Sequence, residues 1–209
     1  TDSTQAYHVD PLAYAVEVAW AAGIVVVAAG GNEGFGTAHL NNPAYDPFVI
    51  AVGADNMRGS NGSGNDQVPA FSSRGHGRFV DLVAPGKSVI SLRSAGSYVD
   101  ELAPEGRVGD RFFRGSGTSQ AAAVVSGAVA LLLQQRPELT PDQVKHMLRE
   151  STAVMPSEDS LAKGKGLLRI DRAIAMATPT GSAHVQQWTP STGLGSLDAA
   201  RGSLHLADA

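Results

Sequence analysis

The chain has no cysteine among its 209 residues, which excludes a disulfide framework, thiol catalysis and thiolate metal sites. It also lacks any apolar run near the roughly 18–20 residues a membrane span requires. Its first ten residues, TDSTQAYHVD, have neither the basic start nor the apolar stretch of a signal peptide. An excess of positive charge is missing too. With 16 Lys and Arg against 20 Asp and Glu, the formal net charge is −4, so nothing in the bulk electrostatics suggests a nucleic-acid partner or an anionic membrane surface. The chain does not start with Met, and it is expected to be cut or processed from something longer. What it does have is 43% hydrophobic residues, enough for one packed domain or most of one.

Helical and strand patterns alternate. The segment DPLAYAVEVAWAAG predicts a helix with Asp10 as N-cap, Pro11 in the first turn and Gly23 closing it. The β-branched run IVVVAA (24–29) predicts a strand buried on both faces, and FVIAVGA (48–54) and FVDLVAPG (79–86) repeat it. The expected fold is therefore α/β with a central, mostly parallel sheet. Residues 57–66 and 95–109 read as polar, irregular loops, the second long enough to be functional. LTPDQVKHMLREST predicts a surface helix with Thr140, Pro141 and Gln143 in a capping-box pattern and Val144, Met147 and Leu148 on one face. GKGLLRIDRA, from 164, and GLGSLDAA, from 193, share an outline that two Gly-rich turns ahead of short helices would also produce by chance. Beyond Ala177 the composition turns to Thr, Pro, Ser and Gly, dividing a domain at 1–177 from an extension at 178–209.

Two sites carry chemistry. In RGSGTSQAAAVVSGAVALLLQQ (114–135), glycines and hydroxyl residues open a long apolar helix. A serine is a usable nucleophile only when exposed, rigidly held, next to a base and close to N–H donors. The first turn of a helix supplies such donors, because its N–H groups have no partner within the helix. Ser119 fits that requirement; it fits equally well as a plain N-cap. Asn32, in VVVAAGGNEGFG, follows an apolar strand at the carboxyl edge of the sheet, where open α/β sheets bind ligands. Its amide could hold an oxyanion at any working pH, or belong to an inert turn. Neither glycine cluster has dinucleotide or Walker spacing.

AAGGNEG, NPAYDPFVIAVGA, FSSRG (71–75), DLVAPG (81–86) and GTSQAAAVVSG, in that order over roughly residues 12–177, together resemble the subtilisin-like serine proteases. The resemblance implies their three-layer fold, of which this chain would hold the C-terminal part. It makes Ser119 the nucleophile and Asn32 the side-chain oxyanion donor. Ala29, Gly30 and Gly31 would line the primary specificity pocket and pair with the substrate backbone as an edge strand, with Gly117 and Thr118 also touching substrate. In this family the triad runs Asp, His, Ser, with the first two upstream of the oxyanion Asn. Here that part is absent: none of His8, His39, His76, His146, His184 and His205 has the family's setting.

The resemblance further implies an endopeptidase acting on protein or peptide substrates through an acyl-enzyme, without a catalytic cofactor. A missing N-terminal part of the same protease would supply the Asp and His. The chain alone is expected to be inactive, and the whole enzyme secreted. The alternative is a catalytically dead subtilisin-like binding or scaffold module. Gln120 stands where the family usually has Met, which removes an oxidisable thioether beside the serine. Similar proteases hold structural Ca²⁺ through carbonyls near a Pro-x-Tyr turn and an aspartate before Ala-Pro-Gly, positions held here by Pro43 and Asp81; Asp81 reads equally well as an ordinary carboxylate.

Overall fold

The computed structural model describes residues 3, 5–36, 39–59, 64–155 and 159–203; His205 and the middle of the 57–66 loop lie outside them. Helix α1 (Pro11–Ala21) precedes strands β1 (Val27–Ala29), β2 (Ile50–Asp55) and β3 (Leu82–Pro85). Then come β4 (Val89–Leu92), the short helix α2 (Tyr98–Leu102), β5 (Arg107–Val108) and β6 (Phe112–Gly115). The long helix α3 (Thr118–Gln135) and α4 (Pro141–Glu150) follow, and α5 (Ser160–Lys163), α6 (Ile170–Ala175) and α7 (Leu197–Arg201) close the order.

β1, β2 and β3 form a parallel sheet in that order, with Val27 opposite Ile50 and Val52 opposite Leu82. Both of its faces are covered, which is why the strands read as unbroken apolar runs. Ile50, Val52, Leu82 and Ala84 face Ala121, Val125, Ala128 and Leu132 of α3. Ala28, Ala51 and Val83 point the other way, toward Leu40, Val49, Val80, Met155 and Leu167. Each fully buried Leu or Val of this kind contributes about 1.5–3 kcal/mol. Local signals fix the helices. Asp10 caps α1, accepting the N–H groups of Leu12 and Ala13 at 2.8 and 3.1 Å. Thr140 and Gln143 form the expected reciprocal box at the start of α4.

Two expectations about secondary structure need correction. The run 24–29 is a strand only from Val27, the first residue in register with β2, and Ile24 is 60% exposed. The stretch 95–109 is ordered: α2 and β5 lie in it, and β5 joins β6 and β4 in a small antiparallel sheet. Asp100 organises this unit by accepting from Arg93 at 2.6 and 2.8 Å and from Arg107 at 2.8 Å. The extension beyond Ala177 lies against the domain. The Ser191 N–H donates to both Glu17 oxygens, and the N–H groups of Thr192 and Gly195 reach the carbonyls of His8 and Val9.

Beside Glu17, Asp46 is fully buried. Burial raises its carboxyl to about 7; the Phe48 N–H opposes that rise and the Glu17 charge adds to it. A carboxyl raised on folding stabilises the protein fully below its unfolded pKa near 4, and that contribution is lost as pH climbs through about 7. Asp46→Asn should therefore flatten the decline in stability between pH 4 and 8, removing roughly 3–5 kcal/mol of pH dependence. Chemical denaturation across that range tests it, and parallel curves for the two proteins would contradict it.

Candidate active site

The carboxyl end of β1 and the first turn of α3 meet. Gly117, the N-cap of α3, donates its N–H to the carbonyl of Gly86 just past β3 at 2.8 Å, so the start of the helix is pinned to the sheet. Gly117 offers no side-chain cap, and Ser119 is the second residue inside the helix. Ser119 is therefore not an N-cap. Its side chain is exposed, and neither its hydroxyl nor its N–H has a partner among the described residues. The N–H is one of the unfilled donors at the positive end of an 18-residue helix.

Thr118, fully buried, sets the direction of the Asn32 amide. Its N–H and hydroxyl both donate to Asn32 Oδ1, at 2.8 and 3.1 Å, and the hydroxyl accepts from the Gly31 N–H at 3.2 Å. Two donors select the oxygen end of the carboxamide, so the NH2 end is left for another acceptor. Asn32, Thr118 and Ser119 line one concavity of about 310 Å³ with Ala29, Gly31 and Pro43. A side chain at Gly117 would collide with Gln120 Oε1 at 2.7 Å.

Of the residues expected to contact substrate, Ala29, Gly31 and Thr118 line the concavity; Gly30 and Gly117 do not. The edge-strand expectation fails at Gly30 and Gly31. Gly30 donates to the Val52 carbonyl and accepts from Asn41 N–H; the Gly31 carbonyl accepts from Ser73 N–H. Gly30 is glycine for packing, since a Cβ there would lie 3.0 Å from Val80 Cγ1.

Sequence reasoning missed the orienting role of Thr118 and the brace beneath Asn32. Ser73, from FSSRG, accepts the Glu33 N–H and donates to Glu33 Oε2 at 3.0 Å, and Asn41 Nδ2 donates to Oε1 at 3.1 Å. Burial would raise the Glu33 carboxyl, but the Asn41 and Ser73 hydrogen bonds outweigh it and hold the group below its ordinary value. No described histidine lines the concavity. His8, His39 and His76 border a separate cavity of about 730 Å³, and His146 and His184 stand edge to face at 6.4 Å.

The residues expected to hold calcium do not fit that ion. Asp81 is fully buried and faces three cations: Arg78 at 2.7 Å, Arg149 at 3.5 Å and Lys145 at 3.6 Å. It also accepts the Ala51 N–H at 2.9 Å. Burial alone would raise its carboxyl, but Arg78 and Lys145 outweigh it and hold the group low. Pro43 is elsewhere, on the wall of the Ser119 concavity. Among the described residues, no three His, Asp or Glu side chains are grouped to hold a metal.

The model of the subtilase family matches residues 2–185. Serine protease AprX of Bacillus subtilis is 43% identical over 169 residues, which is 79% of this chain and 38% of that protein. Subtilisin DY of Bacillus licheniformis is 35% identical over 164 residues, 78% of this chain and 51% of that protein. Among solved structures, fervidolysin from Fervidobacterium pennivorans, described as a keratinolytic enzyme related to subtilisin, superposes with a TM-score of 0.64 at 32% identity, covering 79% of this chain and 24% of that one. The chain thus spans about half or less of the length of these relatives.

Proposed function

The chain belongs to the subtilase family, and from that premise we propose that it is the nucleophile-bearing part of a serine endopeptidase whose remaining part supplies the catalytic Asp and His. The observation that carries this reading is the amide of Asn32, turned by Thr118 so that its NH2 and Ser119 share one concavity at the head of α3.

Ser119 Oγ attacks the scissile carbonyl while the incoming His takes its proton. The negative charge moves to the carbonyl oxygen, between the Asn32 NH2 and the Ser119 N–H. Collapse breaks the C–N bond, the His returns the proton to the leaving amine, and the acyl-Ser119 ester is hydrolysed by water with the same His as base. The substrate is a protein or peptide chain, and no step calls for a metal.

Three observations support a separate source of the base. No described histidine reaches the concavity. The outer edge of β1 has no strand partner among the described residues. Ala123, Ser126, Gly127 and Ala130 leave one side of α3 exposed, a face of small residues that allows close packing. Secretion belongs to the same proposal and rests on the family resemblance; no helix among the described residues is long and apolar enough to cross a membrane.

A fluorophosphonate probe tests the reading. The full-length protein should be labelled on the peptide containing Ser119, and the 209-residue chain alone should not. Labelling of the isolated chain would refute the separate base. An unlabelled full-length protein would refute the activated serine and leave a binding module.

A further inference from the structure

The small antiparallel sheet of β4, β6 and β5 has two unlike faces. Its register places Ser91, Phe113 and Arg107 on one side, and Ile90, Leu92, Val108, Phe112 and Arg114 on the other. The first side packs within its own unit. The Phe113 ring lies so close to Gly106 that a Cβ there would come within 2.6 Å of it, and Asp100 of α2 holds both Arg107 and Arg93, the residue after β4. The second side is bare: Leu92 is 74% exposed, Ile90 50% and Phe112 42%. Leu92 stands opposite Phe112 and Ile90 is two residues along the same strand, so the three form one apolar patch and not scattered surface residues. Arg114, opposite Ile90, is exposed, and no acceptor among the described residues answers its guanidinium.

This face adjoins the nucleophile. β6 runs through Ser116 and Gly117 into the head of α3, so Gly115 is four residues and at most about 14 Å from Ser119. The concavity that holds Asn32 lies on the β1 side of Ser119, with Ala29 and Gly31 in its wall. On the β3 side, Gly117 is pinned to Gly86. A chain whose acyl half fills the concavity therefore leaves the site toward β6.

We propose, on the endopeptidase reading above, that the bare face of β4 and β6 receives the leaving-group side of the substrate. It selects an acidic residue followed by large apolar ones, at roughly the third to fifth positions after the cleaved bond. Arg114 is nearer to Ser119 along β6 than Phe112, which sets that order: the carboxylate meets the guanidinium, and the apolar side chains meet Phe112 and Leu92 farther out. The rest of the protease belongs elsewhere, because the open edge of β1 lies across the sheet from β3, the strand that leads into β4. A stable dimer needs about 20–30 residues a side, and this face offers far fewer.

The test uses the full-length protein and internally quenched peptides that share one acyl half. After the cleaved bond they carry Glu-Leu-Phe, Lys-Leu-Phe or Glu-Ser-Gly at the third to fifth positions. A peptide anilide with the same acyl half, which has no residue to lay on the face, normalises each rate. The wild type should show kcat/KM roughly tenfold higher for Glu-Leu-Phe than for Glu-Ser-Gly, and several-fold higher than for Lys-Leu-Phe at low salt. Leu92→Ser combined with Phe112→Ser should abolish the first preference and keep the second, whereas Arg114→Glu should reverse the second and keep the first. Equal ratios in the wild type and the variants, with the anilide cleaved, would overturn the proposal and leave the endopeptidase reading standing. A wild type that cleaves neither anilide nor peptides would refute that reading and this proposal with it. A wild type that sediments as a dimer while the double variant sediments as a monomer would give the face to a second copy and overturn the proposal too.

Discussion

Ser119→Ala in the full-length protein should lower kcat by about 10⁶-fold, a magnitude borrowed from the loss of the equivalent serine in a subtilisin, and should leave the melting temperature within about 2 °C. The two halves of this expectation have separate causes. The hydroxyl is exposed, has no hydrogen-bond partner among the described residues and is not the cap of α3, so its removal breaks nothing in the fold. Chemically it is the atom that forms the acyl bond, and the other members of the triad have no role without it. The residual rate would come from substrate binding and the oxyanion donors, which the variant keeps. Hydrolysis of a peptide anilide, alongside thermal denaturation of the same preparations, measures both. Retained turnover would remove Ser119 from the mechanism, and a large fall in melting temperature would restore the structural reading of that residue.

What could be read from the sequence was whatever short-range chemistry decides. The caps at Asp10 and Thr140 satisfy N–H groups two or three residues away, and the apolar runs at β2 and β3 announce a sheet covered on both faces. The convergence of Asn32 on the head of α3 was accessible only through the order of motifs, because 86 residues separate Thr118 from its amide. Lys145 could not be read at all. It sits between Val144 and Met147 on a helix where a lysine ordinarily belongs to the wet side, and its burial is decided by carbonyls up to 98 residues away. The charges around Asp81 were legible only in part: Arg78 lies three residues away, whereas Lys145 and Arg149 come from a distant helix. Gly30 and Gly31 looked free for a substrate because glycines say that a backbone can be approached, not which backbone approaches it.

Asn32→Ala should lower kcat by about 10²–10³-fold with KM little changed, again the scale found for the oxyanion asparagine of a subtilisin, because the amide meets a full negative charge only after attack. Thr118 then separates orientation from mere presence of that amide. Thr118→Val removes the hydroxyl that donates to Asn32 Oδ1 at 3.1 Å and keeps the N–H that donates at 2.8 Å. Losing one of two restraints, worth at most about 1.4 kcal/mol, should cost up to roughly tenfold in kcat. Stability falls as well, since the Gly31 N–H loses its acceptor, but lost stability alone does not change kcat per folded molecule. Thr118→Ser, which restores the hydroxyl, should return most of the rate. In the Asn32→Ala background, Thr118→Val should cost nothing further in kcat, because a positioning residue has no effect once the group it positions is gone. A full tenfold loss in that double variant would mean that Thr118 meets the substrate directly, and that the Asn32 amide is held by the Thr118 N–H alone.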